Sequence, residues 1–207
     1  DCTRGAAAAD ALGRMAKVGA STAPGRDYTK IANDGSVLPA SAALGTGPRD
    51  WACTRDNITG LIWEVKATSG LRSQDHTYTW YDTNAAVNGG NPGTEAGTGC
   101  DGTLTNCNTT AYRDAINALT GSARLCGATN WRLPTANELS GLVHSGAPTG
   151  PVIDASWFPN TPAFTSYWTG ENSQGFAPTA WFLTSTGNID SNFKSQGSGV
   201  RLVRGGP

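Results

Sequence analysis

Charge is what this chain has least of. Only 15% of its 207 residues are Asp, Glu, Lys or Arg, and their formal sum is −1, so no positive excess is available to hold a nucleic acid or an anionic membrane surface. Histidine occurs twice, at His76 and His144, and no two of the five cysteines form a C-x-x-C pair, which argues against zinc ligation. No apolar run reaches the roughly 18 residues of a membrane span, so no membrane insertion is expected. EF-hand spacing is missing as well. Asp34, Asp56, Asp101, Asp154 and Asp190 nevertheless stand near Gly or Asn in loops, where carboxylate and carbonyl oxygens can build a structural calcium site. No other cofactor is implied. The chain opens on Asp1-Cys2 with neither an initiator Met nor a signal peptide, which reads as a mature or trimmed product.

What is present is Gly, Ser, Thr and Asn in quantity, set between seven tryptophans. That mixture reads as an ordered, loop-rich protein, long enough for one sizeable domain plus an extension. The cysteines, at 2, 53, 100, 107 and 126, suit a secreted or surface protein with two disulfides and one leftover thiol. Cys100 and Cys107 bracket a short polar loop and can close it. Cys2 with Cys53 would tie the N-terminal segment to the body, and Cys107 with Cys126 is the main competing choice.

Residues 4–17 are Ala-rich, with Leu12, Met15 and Val18 on one face and Gly19 as a stop, and they predict a helix. Residues 21–49 break into Pro, Gly, Ser and Asn and read as an irregular arm. Together, residues 1–50 are expected to be an extension and residues 51–207 the main domain. Turn residues at Asp56-Asn57 and Thr59-Gly60 precede a strand in which Leu61, Trp63 and Val65 alternate with Ile62, Glu64 and Lys66. Tyr78, Trp80 and Tyr81 mark a short strand over 77–81, and residues 88–108 form a long surface loop. A helix capped by Thr109 or Thr110 presents Tyr112, Ala115, Ile116 and Leu119 on one face and ends at Gly121. In Asn130 to Leu139, Trp131 and Leu133 alternate with Arg132, Pro134 ends the extended run, and Thr135 with Glu138 forms a capping box. Leu139, Leu142 and Val143 then share a helix face. Residues 146–162 are a Pro-studded connection carrying Ile153, Trp157 and Phe158 across the core. Strands are expected at 166–170, 179–185, 187–193 and 199–204, with Gly187-Asn188 as a turn.

Taken in order, Asp56-Asn57-x-Thr59-Gly60-Leu61-Ile62-Trp63, Trp131-Arg132-Leu133-Pro134-Thr135 with Glu138-Leu139, Ile153-Asp154 with Phe158-Pro159, Tyr167-Trp168-Thr169, Ala180-Trp181 and Val200-Arg201-x-Val203-Arg204-Gly205 carry a resemblance. From about Trp51 to its end the chain resembles the C-terminal domain family of the Legionella collagen-like protein, which has a C-type lectin-like fold. The resemblance implies an α+β domain, two helices packed on a twisted, mainly antiparallel sheet with long loops, and adhesion or ligand binding at a bacterial surface. The Arg-Leu-Pro-Thr stretch with its following Glu is also similar to the formylglycine-generating, sulfatase-modifying enzymes. Those enzymes depend on cysteines in their later part, and this chain has none beyond Cys126. Neither Glu-Pro-Asn nor Gln-Pro-Asp occurs, so sugar binding through a shared calcium, as in animal lectins, is not supported. A glycosaminoglycan ligand finds little support either, because Arg4, Arg14, Lys17, Arg26 and Lys30 lie in the extension.

No catalytic residue is assigned. His144-Ser145 at a helix end and His76 beside Asp75 in a polar loop belong to no nucleophile motif, and Glu171 with Asp190 lacks a neighbouring second acid for glycoside cleavage. Residues 166–198 differ from the rest, with six Ser, three Asn and six aromatics against three charges. Flat stacking faces with adaptable hydrogen bonds suit binding. If Trp168, Trp181 and Val200 point inward, alternation turns Phe182, Asn188, Asp190, Asn192 and Lys194 outward, beside a loop holding Glu171, Asn172, Gln174 and Phe176. The expectation is a non-catalytic extracellular or cell-surface recognition domain that binds a carbohydrate polymer or a protein there. The alternative is a self-assembling subunit or decoration of an extracellular fibre or cell envelope, docking through residues 4–17.

Overall fold

A computed structural model describes residues 27–143, 152–163 and 165–205. The strands β1 (Tyr28–Ala32), β2 (Val37–Leu38), β3 (Trp51–Asp56), β4 (Ile62–Glu64), β5 (Tyr167–Asn172), β6 (Thr179–Leu183), β7 (Ile189–Phe193) and β8 (Val203–Arg204) form two sheets. One runs β2-β1-β3-β4-β8 and the other is the meander β5-β6-β7, and every pairing is antiparallel. Two short helices, α1 (Thr109–Asn117) and α2 (Ala136–Gly141), complete an α+β architecture. The expected single sheet is therefore two.

The stretch expected as an irregular arm supplies β1 and β2, and β1 is buried along its whole length against β3. Lys30 disguises it in the sequence. Its stem is buried in the strand while its ammonium lies 3.9 Å from the Trp51 ring and donates to the Ala42 carbonyl at 2.7 Å. The helix expected at 4–17, together with Cys2, lies outside the described residues. The β3–β4 hairpin closes on Gly60 at φ 74°, with the Asp56 carboxylate accepting from the Ile58 amide.

Helix α2 begins as the sequence requires. The Thr135 hydroxyl accepts from the Glu138 amide and the Glu138 carboxylate accepts from the Thr135 amide. Arg132 then clamps Glu138 with two hydrogen bonds, at 2.8 and 2.6 Å. Helix α1 is capped by Asn108, not by Thr109 or Thr110, because those threonine hydroxyls donate to the Tyr81 carbonyl instead. The strand expected at 77–81 is an extended segment that makes only isolated bridges, to Ser198, Asn108 and Gly93. Indoles hold it. Trp80 donates to the Thr169 carbonyl at 2.9 Å, and Trp168 donates back to the Tyr78 carbonyl at 2.7 Å. These two bonds fix β5, and with it the second sheet, against the body.

The five-stranded sheet has both faces covered. Ile31 and Cys53 face α1 with Tyr112, Ile116 and Trp131, while Tyr28, Trp63 and Val203 face α2 and the Ile153, Trp157 and Phe158 connection. Disulfides join Cys53 to Cys126 and Cys100 to Cys107. The second is as expected. The alternatives Cys2–Cys53 and Cys107–Cys126 are overturned, since Cys53 points into the core that holds Cys126, where the chain turns through φ 49°.

Double coverage traps charge. Glu64 in β4 is fully buried, and it lines up with Cys53 and Ile31 on the α1 face. Its carboxylate accepts from the Tyr112 hydroxyl, from Lys66 Nζ at 3.2 Å and from the Leu202 amide at 3.1 Å, with Arg72 Nε 3.8 Å away. Arg201 donates to the Glu64 backbone carbonyl at 2.7 Å. Burial pushes the Glu64 carboxyl up, but Lys66, Arg72 and the hydrogen bonds from Tyr112 and Leu202 outweigh it and hold it below its ordinary value. Lys66 is pulled down to about 8, by burial first and then by the like charges of Arg201 and Arg72, against the attraction of Glu64. Burial, followed by the Glu64 charge, pushes the Tyr112 phenol up.

Two expectations follow for stability. Closing 73 residues restricts the unfolded chain more than closing 7, so Cys53→Ala with Cys126→Ala should cost about 4 kcal/mol in urea unfolding, against about 2 for Cys100→Ala with Cys107→Ala. Glu64→Gln keeps the side chain's shape but strands Lys66 and Arg72, and should cost about 3–5 kcal/mol at neutral pH. Because the folded carboxyl titrates below its ordinary 4.5, its contribution is complete above that value and is lost as pH falls through the lower folded one. Wild type and variant should therefore converge on acidification; a constant gap would contradict the pairing.

Candidate ligand-binding surface

The second sheet carries the residues singled out in the sequence, and its register decides where they point. Cross-strand partners share a face, so Trp168, Phe182 and Asp190 lie on one side, as do Ala180 and Asn192. Trp181 with Ser191, Thr179 with Phe193 and Leu183 with Ile189 lie on the other. Trp168 and Trp181 therefore do not point the same way. Trp168 is buried with its ring centroid 5.8 Å from that of Phe182, so Phe182 leans inward, while Trp181 is half-buried on the opposite face. The outward assignment of Phe182 is corrected accordingly.

At one end of Trp181's face, Leu183, Ile189 and Tyr167 pack with Leu139 of α2 and with Leu142, which caps it. The other end is uncovered. There Phe193 is 52% exposed and Phe176, on the β5–β6 loop, is 54% exposed, and their rings meet edge to face at 6.0 Å. The loop that presents Phe176 is itself braced. Its carbonyl accepts from the Thr179 amide and hydroxyl, and the Ser173 hydroxyl, buried with Thr179, bonds to that same hydroxyl. Gln174 is exposed beside Phe176.

The remaining expected site residues divide between surface and scaffold. Asn188 and Asp190 are exposed and Asn192 is half-buried. Asn188 donates to Thr186 within its own turn, and the Asp190 and Asn192 side chains accept from the next amide along the strand. Glu171 serves α2, accepting from the Ala136 amide at 2.6 Å. Asn172 donates to the Ser173 carbonyl at 2.5 Å, and its side-chain oxygen is buried without a hydrogen-bond partner. Lys194 is not outward at all. It is 2% exposed, donates to the Asn88 and Asn91 carbonyls at 2.9 and 2.6 Å and lies over the Trp80 ring, and burial pulls its ammonium down to about 8. It is a strut that holds the long polar loop to the end of β7.

His76, expected in a solvated loop, is buried, with Nδ1 3.4 Å from the Tyr78 hydroxyl and Nε2 3.8 Å from Asp101. His144 lies outside the described residues. Among the described residues no three His, Cys, Asp or Glu side chains gather to hold a metal, so the aspartates suggested for calcium do not converge. Asp34, Asp56 and Asp154 instead accept from backbone amides in their own turns. Among the same residues no helix is long and apolar enough to cross a membrane. Sequence reasoning missed Phe193 and Trp181 as surface aromatics. The signal was present in the period-two alternation of Thr179, Trp181 and Leu183 on one strand and of Ser191 and Phe193 on the next, but the phase could not be fixed before the register was known.

The comparison with curated proteins finds no match. The family model described as the Lcl C-terminal domain matches residues 52–204. That span takes in nearly all of β3, everything from β4 to β8, both helices, both disulfides and the Phe176–Phe193 surface. A match over this much of the sequence establishes that the chain belongs to the Lcl C-terminal domain family.

Proposed function

We propose that this protein is a non-catalytic recognition or adhesion domain that works outside the cell or at its surface, and that its ligand is a carbohydrate polymer stacked on the Phe176–Phe193 pair. The observation that carries this reading is that pair itself. Two large aromatic rings stay exposed on a braced loop and an edge strand while four of the seven tryptophans are fully buried. Rigid aromatic faces bind sugar rings or peptide side chains with little loss of conformational freedom. Gln174 on the same loop and Ser191 on the same face offer polar partners, and Trp181 extends the surface along that face. The family name supports a secreted or surface setting, and the two disulfides fit an oxidising one. The two helices and the return of the last strand to pair with β4 support a C-type lectin-like fold. The absence of catalysis is supported by His76 being buried between Tyr78 and Asp101, and by Glu171 being engaged with a backbone amide.

Retention on a panel of immobilised polysaccharides tests the reading. Phe176→Ala and Phe193→Ala should each weaken binding by at least about 1 kcal/mol, roughly fivefold, without changing the unfolding midpoint by more than a few degrees. Lys194→Ala should behave oppositely, lowering stability because two carbonyls lose their donor. Retention that ignores both phenylalanine variants, or none on any polysaccharide together with concentration-dependent assembly in mass photometry, would turn the assignment towards a protein ligand or a structural subunit.

A further inference from the structure

A cavity of about 460 Å³ lies beside the Glu64 network, on the far side of β4 from α2. Its volume falls within the roughly 300–1,000 Å³ of ordinary small-molecule sites. Several separate parts of the chain wall it, and Asn33, Thr46, Thr68, Ser69, Ser122 and Asn160 set polar groups among the apolar ones. Leu44 comes from the segment between β2 and β3, Lys66, Leu71 and Arg72 from the loop after β4, and Ile116 and Leu119 from the end of α1. The apolar side chains would give a ligand a greasy wall, and the two cations would give it one charged corner.

That corner carries an uncompensated charge. Lys66, Arg72 and Arg201 surround a single carboxylate, Glu64, and Tyr78 and Tyr112 are held neutral by burial and by that carboxylate. Among the described residues Lys66 and Arg72 pair with no other acid, and Arg201 makes no ion pair. Arg72 Nε is enclosed 3.8 Å from Glu64 with no hydrogen-bond acceptor, and Nη2 donates to the Val65 carbonyl at 2.7 Å, so the guanidinium, 18% exposed, has no second acid to balance it. A cationic excess on the wall of a cavity is a place where an anion lowers the energy.

We propose that this cavity binds a small organic monocarboxylate with an apolar tail, its carboxylate meeting Arg72 and Lys66 and its tail lying along Leu44, Leu71, Ile116 and Leu119. The site is separate from the Phe176–Phe193 surface and does not depend on the function assigned to that surface. A metal cation would fit it less well, because Lys66 and Arg72 repel it.

Titration of the full chain with sodium octanoate at constant ionic strength tests this, followed by thermal unfolding and by isothermal calorimetry. Saturable binding with a raised unfolding temperature is expected, while octanol and octylamine should bind at least roughly tenfold more weakly, for want of the charge-assisted bonds. Arg72→Met should cost octanoate a similar factor. Because that substitution also disturbs Glu64, Leu119→Trp provides a second variant that fills the cavity and leaves the charges in place; it should abolish binding. Phe176→Ala should leave octanoate binding unchanged. The proposal is overturned by unsaturable binding, by octanol binding as well as octanoate, by indifference to Leu119→Trp, or by loss in Phe176→Ala, which would place the ligand on the aromatic surface.

Discussion

A carboxylate that cannot reach water organises the centre of this molecule. Glu64 lies in the middle of a sheet covered on both faces, so each of its oxygens must be satisfied by protein. The partners that do so come from α1, from the loop after β4 and from the backbone leading into β8. Three stretches distant in sequence are thereby brought to one point. The same requirement explains why Arg201 is fully buried near the end of the chain and spans from the Glu64 carbonyl to Thr161. It also gathers more positive charge than one acid balances, which is the origin of the charged corner in the adjoining cavity.

The second sheet is organised by a different force. Tryptophan indoles exchange hydrogen bonds between the 77–81 segment and β5, so large apolar rings are buried without leaving an N–H unsatisfied. Lys194 does comparable work for the polar loop, placing a cation under two carbonyls and over a ring. With one face of the sheet so anchored and half of the other covered by α2, the Phe176–Phe193 end is what remains for contact with another molecule. Its aromatic rings and the neutral amide of Gln174 suit an uncharged ligand better than a polyanion.

Much of the scaffold was legible residue by residue. The capping box at Thr135 and Glu138, the turn before Leu61, the apolar face of α1 and the closure of Cys100 on Cys107 are local in sequence, and short-range sterics and hydrogen bonding suffice to fix them. The candidate site was less so. Phe176 was found because it falls in a loop between two expected strands, where no alternation has to be phased, whereas Phe182 and Lys194 were assigned to the wrong side.

By itself, then, the sequence determined the family, the α+β class and the local devices that start and stop each element. Tertiary structure decided the rest. Whether Lys30, Glu64, Lys66 and Lys194 meet solvent or core depends on how many layers cover a strand, which alternation along that strand does not encode. Which disulfide Cys53 makes, and which tryptophan turns inward, depends on register across loops of Gly and Asn whose lengths set no phase. Those choices are made where distant segments meet, because only there is the cost of an unpaired charge or an unburied ring felt.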